Sequence, residues 1–368
     1  GPEVVWLAIG PEGVMFGAAR LLKGCKMGAT VLVSGANGFI AGHVVALLLE
    51  KGYAVDGTVR NPDDTAKVGF LRAMPGDVRL VAADLTAADP FSAHADVDYI
   101  LHLASPYIVD VKDPQRDLVD PAVEGTLSML RAAQANPRVR RVVLTSSMAA
   151  VTDEPGAAVL TEADWNTKSS LSRNPYYYSK TLAERAAWDF MAAQKPAFDL
   201  VVINPFLVIG PSHSKAVNTS PQIMVSLLKG QYPAVMALTW GMVDVRDVAA
   251  AHVAAMTAPG AQGRYLCVAG NMNMAEMIAL MRAKGYAGKL PSMNMTGGFG
   301  TGLMKLASYS QPQGVGSYLR SHLGRVPHYD NSKSQADLGL RYRPVVDSVT
   351  DTLADLAKWG HIAAPSNG

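Results

Sequence analysis

Cysteine is scarce in this chain: Cys25 and Cys267 are the only two in 368 residues. They offer neither a disulfide framework nor a metal-ligand spacing, so no metal is expected and a reducing, cytoplasmic setting fits. No apolar run reaches 18 residues, which argues against a membrane-spanning helix. No basic block stands out either. The 33 Lys and Arg face 31 Asp and Glu, a balance that leaves nucleic acid without an electrostatic footprint. Internal repeats and low-complexity tracts are also missing. Apolar residues, by contrast, make up 49% of the chain. That is ample for one large folded unit, or for a nucleotide domain with a smaller region attached.

Residues 1–26 read differently from the rest. Val4-Val5-Trp6-Leu7-Ala8-Ile9 is apolar, but no cationic segment precedes it and Glu3, Pro11 and Glu12 interrupt it. That fits neither a signal peptide nor a membrane span. Gly1-Pro2 has the form of a protease-cleavage scar, and a native start at Met27 would set Gly28-Ala29-Thr30 just ahead of the first strand. An N-terminal extension or expression-derived segment is therefore expected over 1–26.

From Ala29 onward two patterns alternate. Apolar β-rich runs occupy 30–34, 54–59, 78–82, 99–104, 141–146 and 200–204, and helical stretches occupy 40–51, 65–73, 116–136 and 178–194. Continuous apolar strands separated by helices predict βαβ units around a buried parallel sheet. The expected fold is α/β: a Rossmann-type doubly wound parallel sheet, mainly from 27–210, with a smaller C-terminal substrate-binding region. That region is built mainly from 211–368, with segments returning to the core. Past residue 211 the rhythm loosens, most of all over 290–328 with Gly297-Gly298-Phe299-Gly300, where mobile loops are expected. The abundant late methionines read as core filling more readily than as a soft pocket for apolar ligands.

The first strand runs straight into Gly35-Ala36-Asn37-Gly38-Phe39-Ile40-Ala41-Gly42, and a helix follows. Small residues make the turn tight and let the backbone approach a pyrophosphate, while the helix start offers free N–H groups and a positive dipole end. An ordinary strand–turn–helix would look the same in isolation. Its place after the first strand of a βαβ series makes a phosphate cradle of Gly35, Asn37, Gly38, Phe39 and Ile40 the better reading.

A second constellation carries chemistry. Val143-Leu144-Thr145-Ser146-Ser147 ends the fifth strand, and Tyr176-Tyr177-Tyr178-Ser179-Lys180 opens a later helix. Tyr176 and Lys180 are four apart, hence on one helical face. A carbonyl that accepts hydride becomes an alkoxide and needs a proton. A nearby ammonium is expected to lower the pKa of the Tyr176 phenol and ease that transfer. Ser147 would donate a hydrogen bond to the same oxygen, and Lys180 would also hold the nicotinamide ribose. A decoy pair, Tyr329 and Lys333, follows no serine-bearing strand and reads as surface structure.

The glycine loop, spaced Gly-x-x-Gly-x-x-Ala, and the Ser147, Tyr176 and Lys180 set resemble the extended short-chain dehydrogenases/reductases. Within them, the chain is most similar to the dihydroflavonol reductase and cinnamoyl-CoA reductase-like group. The resemblance spans residues 29 to about 360. It implies cofactor contacts at Arg60, Lys67, Asp84, Leu85, Leu103, Ala104, Ser105, Thr145, Tyr176, Lys180, Pro205 and Val208. Arg60 and Lys67 stand where these reductases hold a 2′-phosphate, so NADPH is expected over NADH. Asp56 shares a strand face with Arg60 and would favour NAD if it entered the pocket. Asp84 reads nearly as well as a helix N-cap. His102 reads as a satisfied buried histidine, and the charges of 243–252 read as structural ion pairs.

Substrate contacts are expected at Pro106, Met148, Thr152 and Phe206. Thr152 replaces the asparagine of flavonoid-reducing members. The cinnamoyl-CoA reductase motif Asn-Trp-Tyr-Cys-Tyr is absent, the matching stretch being Ser172-Arg173-Asn174-Pro175-Tyr176-Tyr177-Tyr178. The expected activity is therefore NADPH-dependent reduction of a small-molecule aldehyde or ketone by a monomer or homodimer, with no nucleic-acid or membrane partner. A nucleotide-sugar epimerase or dehydratase and a non-catalytic NADP-binding sensor are the competing readings. Met148-Ala149 after Ser147 leave a dehydratase without its carboxylate, and a sensor has no use for an intact Ser–Tyr–Lys set.

Overall fold

A computed structural model describes residues 28–105 and 111–366. The extension expected over 1–26 and the substrate contact expected at Pro106 lie outside the described residues. In chain order the first half runs β1 (Thr30–Ser34), α1 (Phe39–Glu50), β2 (Ala54–Val59), α2 (Thr65–Arg72), β3 (Val78–Ala82) and β4 (Tyr99–His102). It continues through α3 (Asp120–Gln134), β5 (Arg141–Thr145), β6 (Val159–Leu160), α4 (Pro175–Gln194) and β7 (Asp199–Pro205). The later part adds β8 (Leu207–Ile209), α5 (Thr219–Leu228), β9 (Val235–Met236), β10 (Thr239–Asp244), α6 (Val245–Thr257), β11 (Gly263–Cys267) and β12 (Gly270–Asn273). It ends with α7 (Met274–Ala283), β13 (Asn294–Met295), α8 (Gly298–Ala307), α9 (Gln313–His322), β14 (His328–Tyr329), α10 (Ser332–Leu338) and α11 (Val345–Lys358).

The apolar runs become a seven-stranded parallel sheet in the order β11-β7-β5-β4-β1-β2-β3. Both faces are covered. Val31, Val33, Leu101, Val143 and Val201 pack with α1 and α6. The alternate residues Leu32, Ile100, Val142, Leu144 and Val202 pack with α3 and α4. Period-two alternation with apolar residues on both sides is what a doubly wound sheet requires. Strand order reverses between β1 and β4, and the crevice at the carboxyl ends of those strands is where such folds take their ligands.

A second core lies between the three-stranded sheet β12-β10-β8 and helices α5, α7 and α11. Met224, Met236, Met242, Met272, Met274, Met277 and Met281 are buried in it, so these methionines fill a core. One expectation needs correction. The loose stretch 290–328 contains α8 and α9. Gly300 is required there because a Cβ would sit 2.7 Å from the Met295 backbone, so this glycine marks a close approach and not a break. The central sheet also gains β11 from the late segment, a strand whose Gly263-Arg264 start hides its apolar character.

Candidate active site

The phosphate loop leaves β1 through Gly35, whose φ of 64° lies in the left-handed region. A Cβ at Gly35 would meet Ala104 Cα at 3.1 Å, so the loop passes against the end of β4 at the switch point. The Gly35 N–H donates to Thr58 Oγ1 (3.1 Å), and Ala36 N–H donates to the Thr58 carbonyl (2.9 Å). Ala36 is fully buried, and a Cβ on Gly57 would stand 2.8 Å from its methyl. Two residues without bulk therefore bring the loop down onto β2. Helix α1 opens at Gly38 and Phe39 with no side-chain cap and no acidic residue in its first turn, so its N–H groups and dipole remain available to an anion. Ala41 is buried where the helix meets the sheet.

At the far end of β2, Arg60 is exposed and makes no hydrogen bond or ion pair among the described residues, and its charge is felt by Asp84. Asp56, by contrast, is clamped by Arg79 of β3, which donates to it twice (2.8 and 2.6 Å). This pairing follows from the register, which sets Asp56 opposite Arg79, and it keeps the carboxylate out of the pocket. Lys67 pairs with Asp64 at 3.0 Å. Asp84 accepts from the N–H and hydroxyl of Thr86, and both bonds hold its carboxyl below the usual range. It caps a turn and not a helix.

Helix α4 begins earlier than predicted, at Pro175, whose fixed φ suits a first helical position. Asn174 before it adopts a left-handed conformation, φ 47°. Tyr176 thus sits in the first turn with 49% of its surface exposed. Lys180 donates to Ser105 Oγ at 2.6 Å, and its ammonium lies 5.7 Å from the centre of the Tyr176 ring. Ser147 caps a one-turn helix by accepting the Ala149 N–H (3.1 Å), which leaves its own hydroxyl hydrogen for another acceptor. Thr181, next to Lys180, donates to the Ala149 carbonyl (3.3 Å) and so joins α4 to that turn. Leu85, Ala104, Ser105, Thr145 and Lys180 line one cleft beside it.

The electrostatics correct one expectation. Burial pushes the Tyr176 phenol up to about 12, although half of the ring is open, and pushes Lys180 down to about 8. Burial is the cause of the phenol's rise, and the ammonium is held on Ser105. The strand ends are ordered by neutral histidines. His252 Nδ1 hydrogen-bonds the Val248 carbonyl (2.7 Å), so Nε2 accepts from Thr145 Oγ1 (2.7 Å). Ser34 Oγ accepts the N–H groups of Leu103 and Ala104 and donates to His102 Nδ1 (2.8 Å). Burial lowers His102 to about 3 and His252 to about 4. The decoy is structural: Lys333 donates to the carbonyls of Gln262 and Arg264, while Tyr329 packs against Phe206.

Residues 31–269 match the NAD dependent epimerase/dehydratase family. The chain belongs to that family. Within it the chain falls among the extended short-chain reductases. It is 36% identical over 349 residues to cinnamoyl-CoA reductase CAD2 of Medicago truncatula, covering 91% of this chain and 98% of that protein. Tetraketide alpha-pyrone reductase 1 of Arabidopsis thaliana is 32% identical over 346 residues, covering 90% of this chain and 97% of the relative. The crystal structure of yeast methylglyoxal/isovaleraldehyde reductase Gre2 complexed with NADPH superposes with a TM-score of 0.74 at 29% identity, across 90% of this chain and all of that one.

Other residues expected to matter in this family member divide in two. Pro205 ends β7 opposite Cys267, and Val208 packs with Val243, Val245 and Val248 against Phe39 and Ile40. Met148 and Thr152 are half-buried near Ser147, with Thr152 Oγ1 accepting the Glu154 N–H (3.1 Å). Phe206, expected to meet substrate, is 4% exposed and packs with Val151, Leu266 and Val268. It is a core residue, held down where Gly241 gives it room. Asp244 pairs with Arg246 and Asp247 with Arg343, which makes those charges structural. Sequence reasoning missed Glu184 and Arg264, a fully buried ion pair between α4 and β11. The signal available was Glu184 itself, four residues after Lys180 on the same helix.

Proposed function

We propose that this protein reduces an aldehyde or ketone to an alcohol with NADPH, Tyr176 supplying the proton. The observation that carries the reading is the convergence of Tyr176, Lys180, Ser105 and Thr145 beside the switch-point crevice, where Gly35 leaves room that a side chain would fill. Those residues fit a dinucleotide: the α1 start for its pyrophosphate, and Arg60 for a 2′-phosphate, with Asp56 withdrawn onto Arg79. NADPH, when bound, supplies hydride. The solved relative in complex with NADPH supports that choice over NADH.

Chemically, Ser147 would donate a hydrogen bond to the carbonyl oxygen and orient it. Tyr176 would then hand its proton to that oxygen as negative charge builds there. A phenol near 12 is fully protonated at neutral pH and is still a stronger acid than the alcohol formed, so the transfer runs downhill. Lys180, held by Ser105, keeps its side-chain nitrogen near Tyr176 and would hold the nicotinamide ribose.

The carboxylates nearest to Ser147 along the chain, Asp153 and Glu154, are both bonded to Arg173, which argues against their serving as the base of an elimination. Residues 27–210 mainly hold the dinucleotide, and 211–368 mainly cover the substrate. The cysteine-poor composition supports a cytoplasmic setting, with the protein working as a monomer or homodimer. Steady-state screening of aldehydes, α-diketones, β-ketoesters and aryl ketones with both cofactors tests the reading. NADPH consumption by at least one class is expected, and none from any class would refute it.

A further inference from the structure

The buried ion pair missed in the sequence points to a residue that acts on the reaction from behind. Glu184 is 1% exposed and Arg264 6%. Arg264 Nε donates to Glu184 Oε1 at 2.6 Å. The same guanidinium reaches the carbonyls of Glu162 and Asp164 and lies 3.9 Å over the Trp165 ring. The other carboxylate oxygen faces the chemistry. Glu184 Oε2 accepts from Ser146 Oγ (2.6 Å) and from Asn204 Nδ2 (2.8 Å), and Asn204 Nδ2 also donates to the Ser147 carbonyl (3.1 Å).

One carboxylate therefore gathers the ends of β5 and β7 and the start of β11 onto helix α4. Tyr176, Lys180 and Glu184 recur every four residues along that helix, a spacing that keeps them near one face. A buried ion pair adds little stability over well-packed apolar side chains of similar volume, so stability alone does not account for it. It does fix geometry: a slide of α4 by one residue would move Tyr176 by about 1.5 Å relative to the strand end. Ser147 and Tyr176 must meet at a single oxygen, and misplacement on that scale is costly to rate.

We propose that Glu184, paired with Arg264, is a positioning residue that registers the Ser147 strand end against the helix bearing Tyr176 and Lys180. The proposal rests on the carbonyl-reductase reading above. The test uses the full chain as wild type, Glu184→Gln, and the double variant Glu184→Leu/Arg264→Met. Each is measured for Tm, NADPH Kd by fluorescence titration, kcat, KM, and the isotope effect with 4-deuterated NADPH.

Glu184→Gln should lower kcat roughly 10- to 100-fold and raise the isotope effect, with NADPH Kd and substrate KM little changed. The double variant, which leaves no charge stranded, should recover the wild-type Tm while kcat stays low. A merely structural pair would show kcat recovering along with Tm; that result, or wild-type kcat in Glu184→Gln, overturns the proposal. Absence of turnover in the wild type itself overturns the functional reading, and this inference with it.

Discussion

Replacing Arg60 by Ala should separate the two nicotinamide cofactors. Arg60 is exposed, free of hydrogen bonds and ion pairs among the described residues, and set where β2 ends. A charge-assisted bond from such a guanidinium to a dianionic 2′-phosphate is worth about 1.5–3 kcal/mol. At 1.4 kcal/mol per tenfold, that is roughly 10- to 100-fold in NADPH Kd. NADH has no phosphate at this position, and its Kd should hardly move. Lys67→Ala should do less, because Asp64 already neutralises Lys67 at 3.0 Å. Fluorescence titration of both cofactors at low and raised salt reads the effect, and the NADPH loss should shrink as salt rises. Equal losses for NADPH and NADH, or a wild type that prefers NADH, would refute the reasoning.

Three further outcomes follow from the geometry. Gly57→Ala would press a methyl to 2.8 Å from Ala36; the displaced loop should weaken binding of either cofactor and lower stability by about 1–3 kcal/mol, checked by titration and thermal melts. With Lys180 lowered to about 8 and Tyr176 raised to about 12, kcat should fall as pH rises through about 8, when the ammonium is lost but the phenol is not. A profile flat to pH 10 would contradict this. Burial lowers His102 to about 3 and His252 and His322 to about 4, from 6.5. The unfolded chain therefore takes up protons first on acidification. Stability should be full above pH 6.5 and decline below it toward pH 4, by up to about 1.4 kcal/mol per pH unit per histidine in denaturant titrations.

The strands of the central sheet were legible because parallel strands buried on both faces read as unbroken apolar runs; β1, β2 and β3 match their expected bounds. The site was legible where a chemical need fixes residue type and spacing, as at Gly35, Tyr176 and Lys180. Contacts made by register were harder. The pairing of Asp56 with Arg79 depends on the alignment of two strands, and spacing along a single strand left its orientation open. Glu184 and Arg264 lie 80 positions apart and meet only in the fold. The phenol's acidity was misjudged for a similar reason: helical spacing places Lys180 near Tyr176, but Ser105 decides where the ammonium points. The glycines of α8 suggested loops because the close approach of Gly300 to Met295 leaves no local signature.

If Tyr176 protonates the nascent alkoxide, Tyr176→Phe removes the proton donor and leaves the cofactor site intact. Single-turnover mixing of the variant with NADPH and the best carbonyl substrate should show dinucleotide binding near wild type, with cofactor oxidation slowed by about a hundredfold or more. Oxidation at the wild-type rate would contradict the account.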